Sequence, residues 1–554
     1  MGQRGLMKNK LIVSSLLMLF FAALLQNAHA AESPSTINGF PEIGEWLADV
    51  PAITSPDQVR YIFGYHENRD LMADTSLIIE DKEKNRSFYI ASLAPCQFAG
   101  QKATFRACIE GVYSRPIGSQ NWEKAELSAQ TTTTIRTSPS ETNKVTYGAF
   151  KDSEADFRPQ GFDSTIWNLP NAKHGDSTSY LLRTRFSGDG CARGQGSSVD
   201  GGCVNGLTID LLPLTNQINT KSVAAADLKY APFPKGIEYS VKLDLGVFIK
   251  AISGWFFNRI DNPEIYRWDP WSNPLDVDKP VGILQISGAP SVIPIGITDA
   301  FTTTAIPNSF RTKVCKSEPT ACTQAGIAFG KAIVITTGDG SSILDPSPTL
   351  LSELEAIPGG VKTLGYQSRW SSKTAWLEQL TGVNADALSC LTKGRFFLGS
   401  VSSNATLFQT TPPVWDPATQ SFAFQVAAPH SDPKGNLNTG NYTMHIPMAQ
   451  AKCRWGEDVA NAKVQISVVS ANGDTKVTTV SSIIENGMLK FVVSGITYSS
   501  PVIKIKLIQG EIPVKKSPVK VVAKIKTITC TKAKNNRKIS ALKPKCPTGW
   551  TLKK

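Results

Sequence analysis

Apolar and polar positions along this chain change places mostly in the short, two-residue rhythm of β-strands. "YSVKLDLGVFI" (Tyr239 to Ile249) alternates, which is the signature of a strand with one face packed and one solvated. "TSLIIEDKEKNRSFYIASL" has two apolar-rich runs around a charged turn and predicts a hairpin. "SYLLRTRFSG" and "GLTIDLLPL" predict two further strands, and "VGILQISGAPSVIPIGI" is Val/Ile-rich with turn residues. From 393 to 508 strand-like runs recur at short intervals: "RFFLGSV", "SFAFQVA", "YTMHIPM", "AKVQISVVS", "KVTTVSS", "LKFVVSG" and "VIKIKLI". Asn472-Gly473 and Asn486-Gly487 predict tight hairpin turns there, because Asn-Gly tolerates positive φ.

One patch breaks the rhythm. Residues 346–392 read as helical: Ser347 caps, Pro348 takes the first helical position, and Pro358 and Gly359 end the first helix. "SKTAWLEQLTG" and "NADALSCL" read as two more short helices, Asn384 capping the second. The fold expected is mainly β and multidomain, with β-sandwich-like domains, a few short helices and local disulfides. The expected divisions are 31–230 and 235–392 as β-rich domains, the second with short helices, and 393–508 as a sandwich able to fold alone. A Pro/Lys linker over 509–526 and a basic tail over 527–554 follow, the tail a two-stranded hairpin over 527–542 that turns at Asn535-Asn536, with Pro544 and Pro547 ending its pairing.

The first thirty residues stand apart. Arg4, Lys8 and Lys10 precede an apolar run from Leu11 to Leu25, and Ala28-His29-Ala30 fits a cleavage site. Residues 1–30 therefore read as a signal peptide. No later stretch is long and apolar enough to cross a bilayer of roughly 20-residue span. Export gives the ten cysteines a meaning. The simplest scheme pairs neighbours: Cys96 with Cys108, Cys191 with Cys203, Cys315 with Cys322, Cys390 with Cys453, and Cys530 with Cys546. No pair has zinc-knuckle spacing and histidine is scarce, so no metal site and no cofactor are expected.

The net charge of +12 is unevenly distributed. The signal segment carries +3, residues 501–554 carry +14 with Glu511 their one acid, and the remainder nets −5. A basic block of this kind reads as a tail for polyanions, or as a solvated end. Lys524, Lys526, Lys532, Lys534, Arg537, Lys538, Lys543 and Lys545 are its candidate contacts. The expected partner is an anionic cell-wall polymer or glycan, not nucleic acid.

"SGWFFNRIDNPEIYRWDPWSNP" is the other candidate stretch. Trp268 and Trp271 lie near Asp261, Glu264 and Asp269, and aromatic faces beside carboxylates suit sugar rings. The simpler reading makes Trp255 and its neighbours core and lets Trp268 and Trp271 pack a Pro-rich crossover. "GDGCARGQGSSVDGGC" is Gly-rich, but strands flank it and no GK[ST] follows. It reads as a stapled hairpin loop rather than a phosphate cradle. The signal segment aside, histidines are His66, His174, His430 and His445, with no G-x-S-x-G or H-E-x-x-H. "HENRD" (His66 to Asp70) reads as a polar loop.

Several segments follow one another in a recognisable order: "SNATLF", "FQVAAPH", "GNYTMHI", "AKCRWG", "ISVVSANG", "VTTVSSIIENGMLKF" and "YSSPVIKIKL". Together they resemble the C-terminal domain of uncharacterised secreted proteins of actinobacteria. "SGWFFNRIDNPEI" and "PSVIPI" resemble an upstream segment of the same proteins. "TITCTKAK…KPKCPTGW…KK" resembles a small tail of exported proteins from freshwater actinobacteria. The resemblance implies an extracellular or envelope location and transfers no catalytic residue. The function expected is that of a secreted or cell-surface binding or structural protein, non-enzymatic, held on an anionic polymer by its tail. The alternative is a secreted hydrolase using carboxylates near the aromatic stretch.

Overall fold

The computed structural model describes residues 36–37, 40–41, 58–64, 76–81, 86–99, 106–132, 136–139, 143–153, 158–189, 204–250, 252, 254–268, 282–299, 301–302, 332–335, 360–374, 390, 397–409, 412–432, 434–457, 459, 463–469, 475–480, 483–498, 502–508, 526–532, 535–541 and 545–553. The chain forms two compact units, Met1–Leu507 and Ile508–Lys554. The described residues are mainly β, in several sheets.

In the first unit the charged-turn stretch makes the hairpin that its pattern predicts. β1 (Leu77–Asp81) pairs with β2 (Arg86–Ser92), and Asp81 opposes Arg86. β3 (Cys108–Pro116) begins at the cysteine bonded to Cys96, and β4 (Glu123–Lys124) runs along its edge. β5 (Ser179–Asp189) and β6 (Val204–Pro213) pair antiparallel on either side of the Gly-rich stretch. Residues 190–203, with Cys191 and Cys203, lie outside the described residues, as do Cys315 and Cys322 and the signal segment.

β7 (Ile237–Asp244) lies between β3 and β10 (Ile283–Thr298), and β9 (Ile260–Trp268), which follows β8 (Gly254–Asn258), pairs with the far side of β10. β10 serves two sheets. Its first half pairs with β7 and β9, while Ser291–Thr298 pairs with β11 (Val361–Thr374). Trp370 of β11 fixes the change of sheet by donating its Nε1–H to the Gly288 carbonyl at 3.0 Å. A hydrophobic core fills the space between these layers. Phe186, Leu207, Ile209 and Leu211 from β5 and β6 belong to it, with Val112, Tyr239, Val241, Leu243, Leu284 and Ile286 from β3, β7 and β10.

β11 corrects the expectation of a helical patch over 346–392. It is a strand of 14 residues and includes Ser372–Thr374, the start of one expected helix. Its buried face carries Thr363, Gln367 and Arg369, so the rhythm that marks a strand is hidden by polar residues on the packed side. The remaining expected helical segments lie outside the described residues, apart from Cys390.

The C-terminal sandwich exists but is not confined to 393–508. β12 (Phe397–Ser403) pairs in parallel with β8, Phe256 opposite Ser400. β13 (Ser421–Ala427) belongs to the second layer and β14 (Thr439–Pro447) returns to the first. α1 (Met448–Trp455) then precedes β15 (Lys463–Val469), β16 (Thr475–Val480), β17 (Ile483–Glu485), β18 (Met488–Thr497) and β19 (Val502–Ile508). One layer holds β8, β12, β14, β18 and β17; the other holds β13, β19, β15 and β16. Trp255 and Phe257 of β8 point into this sandwich core, while Phe256 points into the first core. The run Gly254–Asn258 is therefore buried throughout, because both of its faces are covered. Paired strands cross the expected boundaries at 230–235 (β3 with β7) and 392–393 (β8 with β12). β-Pairing joins strands far apart in sequence, and local composition does not register it.

α1 lies between two of the expected strand-like runs, in a region read as β-sandwich with no helix. It is two turns long, too short to set up a readable helical pattern, and tertiary contacts hold it. Cys453 bonds to Cys390, and the Trp455 indole donates to the Gln420 carbonyl at 2.9 Å. Asn486-Gly487 behaves as expected: φ is 51° and 72°, and the two residues join β17 to β18.

The second unit is a three-stranded sheet, not a two-stranded hairpin. β20 (Lys526–Lys532) pairs with β21 (Asn535–Ala541), and β22 (Thr551–Leu552) adds to its other edge. Lys532 opposes Asn535, so residues 533–534 connect the strands and Asn535-Asn536 open the return strand. Cys530 is fully buried and bonded to Cys546. Pro547 does not end the pairing: a turn in which Trp550 N–H donates to its carbonyl at 3.0 Å sends the chain back as β22.

Candidate functional site

The sheet of β4, β3, β7, β10 and β9 packs one side on the first core; on its other side Tyr266 is exposed, Tyr113, Lys242, Glu264, Gln285 and Trp268 are half-buried, and Ser240 and Ser287 are covered. Register places the outward side chains in rows, since cross-strand partners share a face. Tyr113, Ser240, Ser287 and Glu264 form one row; Gly111, Lys242, Gln285 and Tyr266 form the next. Trp268 lies one step further, opposite Ile283. Tyr266 is 41% exposed and Trp268 half-buried. The alternation is confirmed by Arg267, which turns the other way and donates to the Ile249 and Ile252 carbonyls at 2.7 and 3.0 Å.

Gly111 explains how Tyr113 joins the second row. A Cβ on Gly111 would lie 2.8–2.9 Å from atoms of the Tyr113 ring, so that ring lies across the glycine. Lys242 Nζ donates to Glu110 at 2.6 Å, and Gln285 Nε2 donates to Ser240 Oγ at 2.9 Å. Arg115 Nε donates to Glu238 at 2.6 Å, and its guanidinium lies 4.1 Å over the Trp122 ring.

The carboxylates Asp261 and Glu264 share this face because β9 is irregular between them. Asp261 opposes Ala289 and Glu264 opposes Ser287, so three steps on β9 match two on β10. Asn262 takes φ 44° within this bulge. Burial raises the pKa of Asp261, although Asn441 Nδ2 at 3.3 Å and the Asn262 N–H donate to it. Lys490, 4% exposed, comes from β18. Burial lowers its pKa, and attraction to Glu485, Glu264 and Glu238 opposes that shift.

Behind this face sits His445, which pairs across strands with Ser400 and shares a hydrogen bond of 3.1 Å between Nδ1 and Ser400 Oγ. Burial and the nearby Lys490 ammonium push the imidazole down to about 3. Ser400 and His445 are 0% and 3% exposed, and their charged neighbour is a cation, so the pair serves structure. His174 is also buried, its Nε2 2.9 Å from the Leu214 carbonyl, and His430 Nδ1 faces the Tyr498 carbonyl at 2.9 Å. Among the described residues no three His, Cys, Asp or Glu side chains gather in a metal-binding group.

Of the aromatic candidates the structure brings Trp268, Asp261 and Glu264 to one face; Asp269 and Trp271 lie outside the described residues. Lys242, Gln285, Tyr113 and Lys490 join them from other strands. No local signal marks these four; only sheet register shows that they belong together.

The second unit offers a different face. Cys530 points inward; Thr529 and Thr531, flanking it, point the other way. Thr529 lies opposite Lys538 on one side, and the Lys553 N–H donates to the Thr529 carbonyl at 2.8 Å on the other. Thr531 lies between Asn536 and Thr551, its Oγ1 3.3 Å from Thr551 Oγ1. Lys538, Lys553, Asn536 and Thr551 are exposed. Lys532 and Lys545 are exposed as well; Lys526 and Arg537 lie on β20 and β21, while Lys524, Lys534 and Lys543 fall outside the described residues.

No model of a known protein family matches the chain, and no curated protein is significantly similar to it.

Proposed function

We propose that this is a secreted or cell-surface-associated binding protein whose C-terminal unit engages an anionic polymer. One observation carries the reading: the face on which Lys538 and Lys553 flank Thr529, beside Asn536, Thr531 and Thr551. Residues 526–554 hold nine Lys and Arg and no acid. Cations spaced on a flat face, with hydroxyl and amide donors between them, suit the repeating phosphates or carboxylates of a polymer. The disulfide from Cys530 to Cys546 keeps that face formed in an oxidising environment. The resemblance of the tail to those of exported actinobacterial proteins supports the same location.

The test is retention of the protein on immobilised polyphosphate and polygalacturonate. Retention is expected at low salt, with release at about 0.5 M, where the screening length is about 4 Å. Deleting Glu511–Lys554, or making Lys538→Glu with Lys553→Glu, is expected to abolish it. Equal retention of the double variant would refute this role for the face.

A second reading rests on the bulge in β9. Asp261 and Glu264 share a face, and burial raises the first while Lys490 faces the second. Two carboxyls held in different environments suit acid–base hydrolysis of a glycosidic bond. Release of reducing sugar from a glycan panel, lost in both Asp261→Asn and Glu264→Gln, is the expected result for that reading. Absence of any turnover across the panel leaves the binding role alone.

A further inference from the structure

We propose that the outer face of the β4–β3–β7–β10–β9 sheet binds a neutral oligosaccharide chain, with Tyr113, Tyr266 and Trp268 as stacking surfaces and Lys242 and Gln285 as polar contacts. The argument does not depend on hydrolysis and concerns the first unit alone.

Charge selects the class of ligand. Arg115 is paired with Glu238 and Lys242 with Glu110, and Lys490 is buried. These ion pairs leave little field to attract an ionic ligand. The remaining groups are aromatic rings and neutral donors and acceptors, which is the combination that a pyranose ring uses: C–H groups against a ring face, hydroxyls against amides. A protein partner fits less well, because the middle of the face is polar: half-buried Gln285 lies over Ser240, which it bonds and which in turn bonds Ser287, where a protein interface would place an apolar centre.

Spacing selects a chain over a single sugar. Tyr266 and Trp268 are two residues apart on β9, about 7 Å, and the Tyr113 ring over Gly111 lies three strands away, about 14 Å. A ligand touching all three must cross the strands. The same geometry leaves Tyr266 exposed at 41%.

The experiment is affinity electrophoresis of the full chain through gels containing hydroxyethylcellulose, mixed-linkage β-glucan, galactomannan or starch. At least one polymer is expected to retard the protein, equally at 0.15 M and 0.5 M salt. Tyr266→Ala and Trp268→Ala are each expected to weaken that retardation about tenfold, the scale of one lost stacking contact; Tyr266→Trp is expected to keep it. Thermal melts check that the variants remain folded, and Gln285→Ala provides a variant without an aromatic change. Lys538→Glu with Lys553→Glu separates this site from the tail: it is expected to leave neutral-glycan binding intact. The proposal is overturned if none of the four polymers retards the protein, if both alanine variants bind as the parent does, or if salt or the tail variant removes the binding.

Discussion

Arg259 shows how much one residue between strands can hold. It sits between β8 and β9, 2% exposed, with Nη1 3.0 Å from the Ser403 carbonyl, Nη2 3.2 Å from that of Thr406, and a third contact to Ala405. Its guanidinium lies 4.1 Å over the Phe408 ring. Removing it strands several buried carbonyls, so Arg259→Met is expected to cost about 3–5 kcal/mol, read as a lower urea midpoint. His445 makes the pH dependence testable. Its folded pKa of about 3 lies below the unfolded value of about 6.5. The unfolded chain therefore takes up the proton first, and this stability is full above about pH 6.5 and is lost as pH falls toward about 3. Urea midpoints measured from pH 7 to 4 should fall less steeply in His445→Gln than in the parent. Neither role is visible locally: "NRID" and "MHIP" give no sign that their basic residues are buried.

Among the elements, the strands whose packed side is apolar are those that the residue pattern reveals. The β1–β2 hairpin and the Asn486-Gly487 turn follow from local chemistry alone. β11 is hidden because its buried positions are polar, and α1 because two turns carry no period. The three-stranded terminal unit has the smallest core, with Cys530 as its described fully buried side chain. The loop between Cys530 and Cys546 spans 16 residues, so its closure contributes about 3 kcal/mol. Cys530→Ser with Cys546→Ser is expected to unfold this unit and leave the first unit's melt unchanged. Amide-proton chemical shifts collapsing for 526–553 alone would show it; retained dispersion there would contradict it.

Across the whole molecule the central fact is that the C-terminal sandwich borrows a strand. β8 supplies Trp255 and Phe257 to its core and pairs along β12. A fragment of residues 390–508 therefore lacks two large aromatic side chains and leaves an edge of β12 unpaired. It is expected to show no cooperative thermal transition, whereas a fragment of residues 1–507 is expected to melt cooperatively. A sharp transition in the short fragment would mean that β8 is dispensable.

The sequence by itself determined the β character, most strand positions and the uneven charge, and made neighbour pairing the simplest cysteine scheme, which the structure shows at 96–108, 390–453 and 530–546. These follow from near neighbours: side-chain alternation, turn chemistry and short loop closure act within a few tens of residues. It also drew attention to Asp261, Glu264 and Trp268, because they lie close together in the chain. Tertiary structure decided that a bulge turns both carboxylates to one side, that Tyr113, Lys242, Gln285 and Lys490 join them, and that Lys538 and Lys553 meet around Thr529. Those facts depend on register between distant strands, where a slip of one residue turns a side chain to the opposite face. Composition and periodicity carry no record of register, so the faces on which function is proposed emerge only from the folded chain.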